Sequence, residues 1–161
     1  MLAETTACID CPAPGARERT GNFPHAQGKF ARPRVLVVDD ESLVRWSCAE
    51  TLGENGFQPI EVDNGAAALF ALTQPDAGAD LVLLDLRLPD FCDLSLLAVM
   101  RRLAPKVPVV IMTAFATPEI VERARRLGAF TVLHKPFEMG ELAPLLRRAL
   151  TEARSAEQEA R

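Results

Sequence analysis

The stretch VLVVDDES, residues 35–42, decides how the rest of the chain is read. Its four aliphatic residues show no in–out alternation, which suits a strand of a parallel sheet buried on both faces. The run stops abruptly at Asp39, Asp40 and Glu41, and a segment with helical spacing follows. Outward from there, the same unit recurs four more times. The strand candidates are Arg34–Val38, Phe57–Val62, Leu81–Leu84, Val109–Met112 and Thr131–Leu133, and helices are predicted near 42–54, 65–74, 93–103, 118–127 and 139–153. Asn64 and Thr117 stand where N-caps belong, with Pro118 at a first helical position that needs no N–H. Gly56 and Gly128 are placed to end helices in the left-handed conformation. Pro144 is awkward: either the last helix starts late or its first turn is irregular. Five-fold alternation of this kind predicts an open α/β fold with right-handed crossovers.

Composition agrees with one such domain. The chain has 161 residues, 48% hydrophobic and 25% charged, enough for one real core. A net charge of -4 argues against a nucleic-acid-binding domain, whose footprint would be basic. No apolar run approaches the roughly eighteen residues that a membrane span needs. The N-terminus lacks the basic start and apolar core of a secretory leader. A soluble, cytoplasmic protein is therefore expected. Pro12, Pro14, Gly15, Gly21, Pro24 and Gly28 interrupt any period near the start. Residues 1–32 are read as a flexible tail, 33–153 as the folded domain and 154–161 as a polar, fraying end. Cys8 and Cys11 have the spacing of half a zinc site, with only His25 nearby, a weak signal. Cys48, Cys92 and Trp46 are expected to be packing residues.

In an open α/β sheet the working site lies beyond the carboxyl ends of the strands. Those ends carry Asp39, Asp40 and Glu41 after the first strand, Asp85 at the third, Thr113 at the fourth, and His134 and Lys135 at the fifth. Any one of the aspartates could be an ordinary helix cap. Their convergence on one edge is harder to assign to capping. Carboxylates this close repel, and one would take up a proton unless a cation intervenes. Mg²⁺ is the hard, oxygen-loving candidate, commonly joining one or two carboxylates to a phosphate. Lys135 adds a fixed positive charge and Thr113 a hydroxyl donor. Together they could neutralise a transferring phosphoryl group, and a carboxylate that attacks phosphorus forms an aspartyl phosphate.

The segments VLVVDDES, LVLLDLRLPD, VPVVIMTA and GAFTVLHKPF resemble, in order and spacing, the successive motifs of a response regulator receiver domain. The resemblance covers roughly residues 32–153. ESLVRW and LRLPD are similar to receivers of nitrogen-regulation-type transcriptional activators. It implies a flavodoxin-like (βα)5 fold, a five-stranded parallel sheet in order 2-1-3-4-5 with helices on both faces. It also implies site roles. Asp85 would be the phosphoacceptor, attacking a phosphohistidine on a sensor histidine kinase or histidine phosphotransfer protein. Asp40 would bind Mg²⁺ directly, Asp39 through water, and the Arg87 backbone carbonyl would complete the metal site. Thr113 would be the switch hydroxyl and Lys135 the phosphate-contacting lysine, set by a cis Lys135–Pro136 bond. The moving surface would be about residues 114–152.

The chain departs from that pattern in places. Val132 occupies the switch position usually held by an aromatic. Phe130 shares its parity and is expected on the same side of the strand. Cys92-Asp93 replaces a common Asp-Gly, and Asp93 is read as a cap for the third helix. Phe115 is bulky where some members are polar, and is expected to limit water access. Taken together, a stand-alone receiver is expected, not an enzyme with turnover, that signals through a partner protein or by onward phosphotransfer. The alternatives are a degenerate receiver acting as an interaction platform and a fragment of a larger regulator. A Mg²⁺-dependent phosphohydrolase would want an acid where Arg87 stands. An FMN module would find its phosphate repelled by Asp39, Asp40 and Glu41.

Overall fold

Alternating side chains divide the core into two layers, one on each face of a central sheet. The computed structural model describes residues 32–74 and 78–159. In chain order they form β1 (Arg34–Val38), α1 (Ser42–Glu54), β2 (Gln58–Val62), α2 (Gly65–Thr73), β3 (Leu81–Asp85), α3 (Ser95–Leu103), β4 (Val109–Thr113), α4 (Pro118–Arg126), β5 (Thr131–His134) and α5 (Met139–Glu159). All neighbouring strands are parallel, in the order β2-β1-β3-β4-β5. The expected flavodoxin-like topology is therefore present. The crossover before β3 reverses the direction of strand addition, so a crevice opens between β1 and β3 at their carboxyl ends.

Leu36, Val38, Val82, Leu84, Val109 and Ile111 face one layer with Ala68 of α2, Leu96, Leu97 and Met100 of α3, and Ala124 of α4. Val35, Val37, Leu81, Leu83, Val110 and Met112 face the other, against Cys48 and Leu52 of α1 and Leu142, Leu146 and Ala149 of α5. A period of two under a doubly covered sheet explains why β1, β3 and β4 read as unbroken apolar runs. The edge strand β2 is only partly buried and tolerates Pro59, whose missing N–H would weaken a central ladder.

The local signals are realised at most positions. The Asn64 side chain accepts from the Ala67 N–H at 2.8 Å and Thr117 from the Ile120 N–H at 3.4 Å. Gly56 and Gly128 have φ of +82° and +91°, the region where a Cβ is strained. The Lys135–Pro136 peptide is cis. Asp93 acts at the start of α3, accepting from the Ser95 N–H at 2.8 Å, but the helix begins at Ser95 rather than at 93.

Several expectations need correction. α5 starts at Met139 with Pro144 inside it, and continues to Glu159 through residues expected to fray. Pro144 removes only the donor to the Gly140 carbonyl, and Gly140 is exposed, so water can replace the lost bond. Phe130 lies outside β5 and packs with the α1–α5 layer, whereas Val132 packs with the α2–α3–α4 layer. Strand parity fails for Phe130 because the extended backbone begins only at Thr131. Cys48 is buried, but Cys92 is exposed and Trp46 is 55% exposed; neither of the latter two is a core residue. Burial pushes the Cys48 thiol up to about 11, leaving it protonated and inert. Among the described residues no helix is long and apolar enough to cross a membrane. Cys8, Cys11 and His25 lie outside the described residues.

Asp90, in the loop after β3, carries a structural role that reading the sequence missed. Its two carboxylate oxygens accept from the Gly65 and Ala66 N–H groups at 2.9 and 2.8 Å, closing the N-terminus of α2. Gly65 permits this approach, since a Cβ there would lie 2.3 Å from Phe91 Cδ2. Slight desolvation opposes the charge, but the backbone donors win and hold the Asp90 carboxyl below its ordinary value. Asp90→Ala is expected to lower stability by about 1 kcal/mol at neutral pH, measured by urea unfolding. A depressed carboxylate stabilises above its unfolded pKa and loses that effect as pH falls through the folded one. The gap between wild type and variant should therefore close on acidification below about pH 4. A constant gap down to acid pH would contradict the assignment.

Candidate functional site

Strand ends and the turns after them bring the predicted residues to one edge of the sheet. Asp39 and Asp40 follow β1, Asp85 closes β3, Thr113 closes β4 and Lys135 follows β5. Asp39, Asp40 and Asp85 each offer a carboxylate oxygen, and these lie within 4.8 Å of one another. Asp39 is fully buried, Asp85 is 6% exposed, and Asp40 is exposed to solvent. The pocket therefore has a dry floor and a wet rim.

Lys135 spans the floor. Its Nζ lies 2.7 Å from Asp39 Oδ2, 3.3 Å from Asp85 Oδ2 and 3.8 Å from Glu41 Oε1. Desolvation works against the ammonium, yet the hydrogen bond and charge of Asp39, reinforced by Asp85, raise its pKa above the ordinary lysine value. It is a fixed cation at every physiological pH. Burial pushes the Asp85 carboxyl up; Lys135 pulls it back, Asp39 adds to the rise, and the Arg87 backbone N–H opposes it. Asp39 spends both carboxylate oxygens on protein donors, Oδ2 on Lys135 and Oδ1 on the Glu41 N–H at 2.9 Å.

The remaining residues sit around this floor. The Thr113 hydroxyl is buried and accepts from the Phe115 N–H at 3.1 Å. The Lys135 N–H donates to the Thr113 carbonyl at 2.8 Å, so the β4 and β5 ends are tied together. Arg87 faces the pocket through its backbone N–H, while its guanidinium stacks 4.0 Å from the centroid of the Phe115 ring. Val132 is opposite Ile111 in the ladder; it is His134 that stands opposite Thr113. Arg45 was not singled out from the sequence, although its guanidinium donates to the Asp39 carbonyl at 2.6 Å. The available signal was its place one helical turn after Glu41.

Three carboxylates against one ammonium leave an excess of negative charge in a partly desolvated pocket. Their all-oxygen donor set, with one member open to solvent, fits a hard divalent cation that keeps part of its water shell. It does not fit a soft or imidazole-preferring metal.

The family model for the response regulator receiver domain matches residues 35–147. This chain belongs to that family. Receiver domains are phosphoacceptor signalling domains of two-component systems, and they bind Mg²⁺ at an acidic pocket of this kind. Among curated relatives, the DNA-binding transcriptional regulator NtrC of Escherichia coli is 36% identical over 124 residues, covering 77% of this chain and 26% of NtrC. Sporulation initiation phosphotransferase F of Bacillus subtilis is 31% identical over 117 residues, covering 73% of this chain and 93% of the relative. The crystal structure of the receiver domain of NtrX from Brucella abortus superposes with a TM-score of 0.67 at 32% identity, covering 73% of this chain and 98% of that one. Receivers of nitrogen-regulation-type regulators are thus among its relatives, in line with the likeness of ESLVRW and LRLPD. The chain spans only about a quarter of the length of the NtrC relative.

Proposed function

We propose that this receiver accepts a phosphoryl group on Asp85 from a phosphohistidine of a sensor kinase or phosphotransfer protein. The observation that carries the reading is the Lys135 ammonium bridging Asp39 and Asp85, with Asp40 beside them at the solvent edge. An Asp85 carboxylate oxygen attacks phosphorus, the P–N bond breaks, and the donor imidazole leaves with its electron pair and takes up a proton. Asp39, Asp40, Asp85 and the Arg87 carbonyl are the groups to hold Mg²⁺, which supplies charge neutralisation to the phosphoryl oxygens when bound. Lys135 provides a second positive charge without reorganisation, since it already faces Asp85. Burial raises the Asp85 pKa and with it the basicity of the carboxylate, while Lys135 favours its charged form.

The Thr113 hydroxyl is the group to respond. Its oxygen accepts from the Phe115 N–H, which leaves its own O–H to donate to the new phosphate, biasing the segment about residues 114–152 towards a second arrangement. Likeness to phosphotransferase F over nearly its whole length supports onward phosphotransfer or a partner protein as output, whereas likeness to one quarter of NtrC supports a receiver within a larger regulator.

Incubation with Mg²⁺ and a small acyl-phosphate donor, followed by intact mass, tests the reading. One phosphoryl group should be added to the wild type and none to Asp85→Asn or to chelated protein. Addition that survives Asp85→Asn would end it; no addition from either the small donor or a phosphorylated kinase would favour the interaction platform. Phe115, half exposed, stacked on Arg87 and bonded through its N–H to Thr113, is expected to restrict water. Phe115→Glu should shorten the lifetime of the phosphorylated form severalfold, followed by loss of the added mass. An unchanged decay rate would remove Phe115 from the account.

A further inference from the structure

We propose that Arg45 is a positioning residue for the divalent-cation site, acting through the backbone of Asp39; this rests on the reading that Asp39, Asp40 and Asp85 hold Mg²⁺. The Arg45 side chain is only 18% exposed, although it grows from a surface helix. It turns back under the β1–α1 turn, where Nη1 donates to the Asp39 carbonyl at 2.6 Å, and its Nε lies 3.7 Å from Glu61 Oε2 on β2. On its other side Asp39 donates its N–H to the Val62 carbonyl of β2 at 3.2 Å. The peptide groups flanking the Asp39 side chain are thus pinned from both sides, by β2 directly and by β2 through Glu61 and Arg45.

This matters because the other holds on the turn, from Lys135 and the Glu41 N–H, act on the Asp39 side chain and not on the carbonyl that leads to Asp40. Asp40 and Glu41 are exposed, and α1 begins without a side-chain cap at Glu41. The orientation of the Asp40 carboxylate depends on the Asp39–Asp40 peptide, whose carbonyl is the one that Arg45 grips. A charge-assisted bond from a planar guanidinium fixes direction as well as distance. Partners that orient ligands without touching the metal commonly change affinity by about ten- to a hundredfold when removed.

Charge and positioning predict opposite signs. As a cation near the site, Arg45 would oppose Mg²⁺, so its removal would tighten binding. Glu61 offsets much of that charge. As a clamp, Arg45 favours Mg²⁺, so its removal should weaken binding despite the relief of repulsion. The dissociation constant for Mg²⁺ is measured by calorimetry on the wild type, Arg45→Gln, Arg45→Lys and Glu61→Gln. Leu52→Ala, a buried change on the same helix away from the turn, controls for lost stability. We expect Arg45→Gln to weaken binding about tenfold, with Arg45→Lys and Glu61→Gln in between and Leu52→Ala unchanged. If Arg45→Gln binds as tightly as the wild type or tighter, the positioning role is overturned. Equal weakening in Leu52→Ala would overturn it too, as a stability effect alone. A wild type that does not bind Mg²⁺ would overturn the metal reading itself, and the role with it.

Discussion

Asp85→Asn is expected to melt about 3–6 °C above the wild type at pH 7 in the absence of divalent cation, while losing all phosphoryl acceptance. Both effects come from one placement. Asp85 is 6% exposed, next to the fully buried Asp39, with a single ammonium shared between them. Burying an ion costs several kcal/mol that a partner only partly returns, and the raised pKa of Asp85 is the sign of that deficit. An amide of the same shape removes the charge and leaves Lys135 its 2.7 Å partner. A net gain of about 1–2 kcal/mol follows. For a carboxyl whose folded pKa is raised, no penalty exists below the unfolded pKa, where both states are protonated. The penalty grows as pH rises through the folded value. The advantage of the amide variant should thus be largest near neutral pH and shrink on acidification towards about pH 4. Saturating Mg²⁺ should also shrink it, because the cation stabilises the wild type by mass action. Thermal unfolding against pH and Mg²⁺ decides the matter. A variant less stable than the wild type at pH 7 without metal would mean that Asp85 is satisfied where it stands.

The contrast between what could and could not be read from sequence follows from distance along the chain. Strands β1, β3 and β4 were legible because burial on both faces leaves no polar residue to hide the run. The site was legible because each acidic residue or lysine terminates such a run, so the topology alone delivers Asp39, Asp85 and Lys135 to one edge. Asp90 was not legible. As a loop residue after Pro89 it reads as turn chemistry, and its partners at Gly65 and Ala66 lie 25 and 24 residues away. Arg45 was hidden for a related reason. Its helix offers both a solvent face and a site face, and only the bend of the β1–α1 turn shows which it takes. Phe130 was misplaced because strand parity was carried one residue past the start of β5 at Thr131, where the alternation does not hold. Cys92 and Trp46 were assigned by residue type, which predicts average burial but not a loop or an outward helix position.

Lys135→Ala is expected to destabilise the domain by about 3 kcal/mol at pH 7 without metal, lowering the melting temperature by about 10 °C. Removing one partner of a buried pair is worse than removing both, because the survivor keeps its desolvation penalty. Here two survive: Asp39 at full burial and Asp85 almost so, facing one another with no cation between them. The wild-type ammonium has a raised pKa, so its stabilisation is complete below the unfolded lysine value and is lost only as pH rises through the folded one. Wild-type stability should therefore not depend on Lys135 titration anywhere near neutrality. The variant should behave differently. One of its two carboxyls must take up a proton to relieve the repulsion, so its stability should rise as pH falls from 7 to 5. Mg²⁺ offers the other relief, and the variant should gain more from added Mg²⁺ than the wild type does. Lys135→Ala combined with Asp39→Asn should recover most of the loss, since the pair is then removed together. Melting curves for the four proteins of that cycle, with and without Mg²⁺, measure each of these terms. If Lys135→Ala were as stable as the wild type, unresponsive to both pH and Mg²⁺, the ammonium would not be what holds the acidic floor together.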